Sequence, residues 1–135
     1  MGKIVLNAID IYKSYTNGAN RLNVLDKFSL PVMEGEIITI MGQSGSGKST
    51  ALNILGTLDK PDSGVLEING VNIDNLNDND ISSLRNKDLG FIFQFHHLLP
   101  ELTALENVMV PTWIKGDNNC ETEVIDLFQS ILKQS

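Results

Sequence analysis

The chain has one cysteine, two arginines and no long apolar run, and each scarcity removes a class of protein. Cys120 alone cannot close an intrachain disulfide, so the fold must stand on burial, as suits a reducing cytosol. No apolar stretch approaches the ~20 residues that a membrane helix requires. Residues 3–11 mix polar side chains into a short apolar segment, unlike the core of a secretory signal. Any membrane role is therefore expected to be peripheral. Basic residues are also few: 10 Lys and Arg face 17 Asp and Glu, for a net charge of −7. With no basic stripe to offset that charge, nucleic acid is not an expected partner. What remains is an ordinary globular composition, 41% hydrophobic and 20% charged over 135 residues, enough for one buried core.

The patterning predicts mixed α and β structure. Residues 3–11 read as a strand, residues 12–21 as a connection with a turn at Asn17-Gly18, and residues 22–30 as a second strand closed by Pro31. The run 36–41 (EIITIM) is suited to a buried strand. Residues 49–58 read as a helix with Leu52, Leu55 and Gly56 on one face. A short strand over 65–69 should end at Asn69-Gly70, and residues 71–79 should be irregular. A helix is expected from a cap at Asn77 to about Asp88, and the apolar run 89–93 (LGFIF) reads as another buried strand. Thr103 and Glu106 form a capping-box pattern that predicts a helix to about Ile114, with Pro111 as a kink point. Over residues 121–133, Val124, Phe128, Ile131 and Leu132 fall at helical spacing and are expected to face the core.

The sharpest signal is Gly42-Gln43-Ser44-Gly45-Ser46-Gly47-Lys48-Ser49, a match to G-x-x-x-x-G-K-[ST] between an expected strand and an expected helix. Each residue type has a chemical reason. The glycines allow backbone angles that let amide N–H groups close on phosphate oxygens. The helix start adds partial positive charge. Lys48 is placed to reach the β- and γ-phosphates, Ser49 to coordinate Mg²⁺, and Thr50 to hold the α-phosphate end. A flexible Gly/Ser linker would explain Gly45-Ser46-Gly47 alone, but not the whole string in this setting. The motif by itself names a nucleotide site, not a reaction.

The string GQSGSGKST, followed by LNILGTLDKPDSGVLEINGVNI and by Phe91-Ile92-Phe93-Gln94, resembles the nucleotide-binding subunits of ABC transporters over nearly the whole chain. The stretch 90–111 (GFIFQFHHLLPELTALENVMVP) is similar to the subgroup that holds the ATPases of bacterial lipoprotein-releasing systems and of macrolide exporters. The resemblance implies an α/β fold: a P-loop NTPase core with an N-terminal antiparallel β-subdomain and the start of a helical subdomain, together an incomplete nucleotide-binding domain. Residues 1–94 would be the ATP-binding core and residues 95–135 the start of the helical part. ATP and Mg²⁺ are the implied cofactors. Gly42, Gln43, Ser44, Gly45, Ser46, Gly47, Lys48, Ser49 and Thr50 would bind the nucleotide, and Tyr15, in preference to Tyr12, would stack on adenine. Lys48 and Gln94 would be the catalytic residues, with Ser49 and Gln94 at the metal.

The same resemblance implies transmembrane transporter subunits and a second nucleotide-binding domain as partners, on the cytoplasmic face of the bacterial inner membrane. Phe95, His96, His97, Leu98 and Leu99 would face the membrane subunit, though the leucines could equally be core. Adjacent histidines rarely converge on one ion, so a metal at His96-His97 is not expected. Glu106 reads as a cap partner. The family's later motifs are not in this sequence: no LSGGQ, no strand ending in Asp-Glu, no switch histidine. The expectation is a truncated ATPase that binds ATP without hydrolysing it alone. Alternatives are a macrolide-exporter-like ATPase, a non-hydrolysing nucleotide module, a GTPase or a small kinase. Asn86-Lys87-Asp88-Leu89 misses the guanine-reading pattern by one position, and Arg21 and Arg85 alone make no arginine-rich lid.

Overall fold

The computed structural model describes residues 2–133. They form two compact units that divide between Ser82 and Ser83. The first unit is built on an antiparallel sheet of order β2-β1-β3-β4, with β1 Ile4–Asn17, β2 Asn20–Met33, β3 Ser63–Ile68 and β4 Val71–Asn72. The helix α1, Lys48–Leu55, packs against β2. Ala8, Ile11, Leu25, Ala51, Ile54, Leu66 and Ile68 are buried in this unit.

Segment 12–21, expected as a connection, is instead mostly strand. β1 runs on to Asn17 and pairs with β2 through Asn17↔Asn20, so only the Gly18-Ala19 tip turns. Pro31 does not close β2; it pairs with Asn7 and the strand continues to Met33. Proline is tolerated there because β2 is the sheet edge, where a missing N–H leaves no ladder bond unmade. At Asn69-Gly70, both with φ near the left-handed region (50° and 79°), the chain makes the expected turn. Residues 71 and 72 then pair back onto β3 as β4, where irregular chain was expected.

Strand β1 breaks the usual alternation. Ala8 and Ile11, three residues apart, are both buried. The register shifts between them, and Asp10 has φ 47°. Such a bulge inserts one residue and returns the next side chain to the core face. Ser29 closes it from β2: its Oγ accepts the Asp10 backbone N–H at 2.8 Å.

Two expected strands do not form. Residues 36–41 and 89–93 carry no strand, and Ile37 and Ile92 are essentially fully exposed. A buried strand exists only where neighbours complete its hydrogen-bond ladder. No described strand pairs with either segment, so apolar content alone does not make them sheet.

In α1 the inward face is Ala51, Ile54 and Leu55, while Leu52, expected beside Leu55, is more than half exposed. Helix α2, Asp78–Asp88, starts as expected: Asn77 Oδ1 accepts the Asp80 backbone N–H at 3.0 Å.

The second unit pairs α3, Ala104–Lys115, with α4, Glu121–Leu132. Thr103 and Glu106 form the full capping box, and Gly116 (φ 87°) ends α3, which runs through Pro111. The core is small: Met109, Cys120 and Val124, with Leu105 and Phe128 against it. Ile131 and Leu132, expected to face the core, are exposed at the far end of α4. Among the described residues no helix is long and apolar enough to cross a membrane.

Candidate functional site

The glycine-rich loop leads directly into α1. Gly47 is the N-cap residue, with φ 87° and no side-chain cap bond, and the first turn of α1 carries no acidic residue. Its amides and partial positive charge therefore meet no carboxylate from that turn. Gly45 also lies in the left-handed region (φ 81°), and the Ser46 N–H donates to the Gln43 carbonyl at 3.2 Å. Lys48 curls back over this turn. Its ammonium donates to the carbonyls of Gly42 (2.8 Å) and Gln43 (2.5 Å) and to Ser46 Oγ (3.3 Å). These partners are neutral, so the cation is held in place without being neutralised. The setting expected around the motif is present on its helix side; residues 36–41 before it form no strand.

A cavity of about 390 Å³ opens over the loop, lined by Tyr15, Val24, Ser44, Gly45, Gly47, Lys48, Ser49 and Thr50. The structure thus gathers Tyr15 from β1 and six adjacent or near-adjacent positions of the loop and helix start around one space. Gly42, Gln43 and Ser46 lie behind that lining, as the acceptors that hold Lys48. Tyr12 lines a different depression, with Ser14, Arg21, Asp26 and Asp62. The difference follows from β1: Tyr12 and Tyr15 are an odd number of residues apart and leave opposite faces of the strand.

Tyr15 is anchored at both ends. Its backbone pairs with Leu22 across the hairpin, and its hydroxyl donates to Asp59 Oδ2 at 2.8 Å. Asp59 in turn accepts from Lys13 Nζ at 2.9 Å, and the same ammonium stands 5.3 Å over the Tyr15 ring. The Lys13 hydrogen bond, with Tyr15 and the Lys60 backbone adding to it, holds the Asp59 carboxyl below the ordinary carboxylate range. Reciprocally, the Asp59 hydrogen bond raises Lys13 above an ordinary lysine.

Sequence reasoning missed this support. Lys13 carries a weak signal, since it shares a strand face with Tyr15 two residues on. Asp59 carries none, because 44 residues separate it from Tyr15.

Gln94 lies in the second unit, exposed, in a bend after the unpaired run 89–93. Around it Phe91 and Phe93 stack at 5.5 Å, and His97 meets Phe93 edge-on at 5.0 Å. Phe95, Leu98 and Leu99 are exposed, so the leucines are not core. Asn107 ties the segment to α3: its side chain accepts the Leu99 N–H at 2.8 Å and donates to the Leu99 carbonyl at 3.1 Å.

The donor set fits a nucleoside triphosphate with its metal. The uncapped start of α1 and the residues Lys48, Ser49 and Thr50 line one cavity, and nothing larger than hydrogen is accommodated at Gly47, where a Cβ would fall 2.8 Å from a backbone oxygen.

The chain is 45% identical over 133 residues to the lipoprotein-releasing system ATP-binding protein LolD of Legionella pneumophila, covering 97% of this chain and 59% of that protein. It is 51% identical to the Geobacter metallireducens LolD over 112 residues, or 83% of this chain and 50% of the other. The chain spans about half the length of the curated relatives it matches. A solved dimeric ATP-binding cassette in a post-hydrolysis state, bound to ADP and Pi, superposes with a TM-score of 0.77 at 42% identity, over 82% of this chain and 47% of that one. The sequence profile of the ABC transporter family matches residues 25–134, and the chain belongs to that family.

Proposed function

We propose that this chain supplies the nucleotide-binding half of an ABC-transporter ATPase, holding Mg²⁺–ATP between Tyr15 and the loop Gly42–Thr50. The observation that carries the proposal is the single cavity lined by Tyr15, Lys48, Ser49 and Thr50. In this reading Tyr15 stacks on adenine, the amides of residues 44–48 and the Lys48 ammonium take the phosphates, and Ser49 holds the metal. Bound Mg²⁺ supplies charge neutralisation across the phosphates and a template for their orientation. To take a phosphate oxygen Lys48 exchanges one or more of its bonds to Gly42, Gln43 and Ser46, which together occupy its three N–H donors but hold it within the loop. Gln94 is assigned, by its match to the family pattern, to the metal and the attacking water in the assembled enzyme. Residues 1–94 then form the ATP-binding core and residues 95–135 the start of the helical subdomain.

The complete protein, in the same reading, couples ATP hydrolysis to lipoprotein release from the bacterial inner membrane. It would dock on membrane-embedded subunits from the cytoplasmic side and pair with a second nucleotide-binding domain. The names carried by the Legionella and Geobacter relatives support this cargo.

Binding is tested by calorimetry with Mg²⁺–ATP on the wild type and on Lys48→Ala. A folded Lys48→Ala chain that keeps its ATP affinity would remove the assignment. The cargo is tested by placing the whole protein in a bacterium depleted of its own lipoprotein-releasing ATPase. Restored lipoprotein sorting supports the proposal; macrolide resistance without restored sorting would move the protein to the exporters.

A further inference from the structure

We infer that Asp59 is a positioning residue for the nucleobase, acting through Tyr15; the inference rests on the adenine-stacking role proposed above. An aromatic ring on a strand that is mostly solvent-facing has freedom about two side-chain torsions, and stacking on a base requires both to be fixed. Tyr15 is 43% exposed, so packing alone does not fix its ring. The hydroxyl at the far end of the ring does. It donates to Asp59 Oδ2 at 2.8 Å, which leaves the ring spanning from β1 to the chain just beyond α1.

Asp59 is itself immobilised. Its other oxygen accepts from Lys13 Nζ (2.9 Å) and from the Lys60 backbone N–H (2.8 Å), and the Lys13 ammonium also reaches the Lys60 carbonyl (2.6 Å). Asp59 thus presents one lone oxygen to Tyr15 from a fixed frame. Because Lys13 stands over one face of the ring, the base takes the other. The arrangement also links the two halves of the nucleotide site. Asp59 follows the helix whose first turn takes the phosphates, and the Asp59 backbone N–H is bound to the Asn53 carbonyl of that helix at 3.2 Å. The distance between base platform and phosphate cradle is therefore set by one short segment, residues 53–59.

The alternative is that Lys13 and Asp59 merely fasten the post-α1 segment to the sheet. A base-specific readout separates the two. Binding of Mg²⁺–ATP and of Mg²⁺–tripolyphosphate, which lacks a base, is measured by calorimetry on the whole chain as wild type, Asp59→Ala, Asp59→Asn, Tyr15→Phe and the Asp59→Ala/Tyr15→Phe double variant. Tyr15→Phe keeps the ring and the Lys13–Asp59 pair and removes only the hydroxyl bond, so it carries the test even if Asp59→Ala fails to fold. The expected result is a loss of about fivefold to tenfold in ATP affinity for Asp59→Ala and Tyr15→Phe, a fraction of what a whole stacked base contributes. Tripolyphosphate affinity should stay within about twofold. Asp59→Asn, which can still accept the hydroxyl, should recover part of the loss. The double variant should be no weaker than the worse single one, as for two ends of one interaction. Unchanged ATP affinity in Tyr15→Phe, or equal loss of both ligands in Asp59→Ala, overturns the inference. A wild type that binds neither ligand overturns the nucleotide-site reading itself, and this inference with it.

Discussion

A methyl group on Gly47 would sit 2.8 Å from the carbonyl oxygen of Val24 and 2.9 Å from its Cγ1, so the start of α1 is seated against β2 with no room for a side chain. The contact is to backbone, which cannot swing away. Gly47 also holds φ 87°, where an L side chain is strained. Gly47→Ala is therefore expected to cost about 2–4 kcal/mol, from strain and displacement together, and to abolish ATP binding by shifting the loop. Gly45 provides the control. Its φ is similar at 81°, but a Cβ there meets nothing within 4 Å. Gly45→Ala should cost only the backbone term, about 1–2 kcal/mol. Thermal melts of the two variants check the ranking; equal destabilisation would mean that the Val24 contact is unimportant.

The two tyrosines give a second contrast. Tyr15→Ala should lower ATP affinity by about fivefold to a hundredfold, the range of a lost aromatic platform. Tyr12→Ala, on the opposite strand face, should change it by less than about twofold, though it removes a half-exposed side chain from the sheet. Equilibrium titration with unlabelled ATP reads both. A larger effect at Tyr12 would reverse the assignment made here.

How much of this was legible beforehand depended on whether the determinant was local. The helix start after the loop Gly42–Thr50, the turn at Asn69-Gly70, the Asn77 cap and the Thr103–Glu106 box are each written within a few neighbouring residues, and each forms as read. Segments 36–41 and 89–93 failed because a strand is a relation between distant segments, and their apolar residues say nothing about whether a partner is beside them. The bulge at Asp10 was invisible for a related reason: a polar residue in an alternating run reads as solvent-facing, and only Ser29, 19 residues away, closes the extra residue into the ladder. Asp59 was missed in the site for the same cause, its partner being a hydroxyl on the distant strand β1.

Acid should weaken both units, with the sign set by three carboxylates. Hydrogen bonds hold Asp59 (from Lys13 first), Asp62 (from the Ser14 hydroxyl first) and Glu106 (from the Thr103 backbone N–H first) below their ordinary values. In each case the unfolded chain takes up its proton at higher pH than the folded one. Their stabilisation is thus complete above the unfolded carboxylate range, about pH 4 to 5, and is lost as pH falls through the lower folded values. Lys13 runs the other way: raised in the folded state by Asp59, its contribution is present at neutral pH and disappears only above about pH 10. Stability should therefore be level from about pH 5 to 9 and fall on either side. Denaturation monitored by Trp113, the single tryptophan and a residue of α3, reports on the second unit. Thr103→Ala should cost that unit about 1 kcal/mol at neutral pH through the lost cap. It should also flatten the acid limb, because Glu106 then loses the Thr103 hydroxyl as a donor. An acid limb unchanged in Thr103→Ala would assign the pH dependence to other groups.

Cys120 offers a direct measure of how firmly the second unit is closed. The thiol is 3% exposed, packed with Met109 and Val124, and its Sγ lies 2.7 Å from the Thr112 hydroxyl of α3. Thiol reagents attack the thiolate of an accessible cysteine, so a buried one reacts only when the structure around it opens. Labelling of the native chain should accordingly be slow and should follow the opening equilibrium of the α3–α4 pair. Weakening the α3 cap by Thr103→Ala, at about 1 kcal/mol, should raise the labelling rate about fivefold without affecting the rate in denaturant. Gly47→Ala, a lesion of the other unit, tests whether the two units open independently: an unchanged Cys120 rate means that α3 and α4 stand by themselves, and a parallel rise means that they unfold with the sheet. A native rate equal to that in denaturant would mean that this small core does not hold the thiol at all.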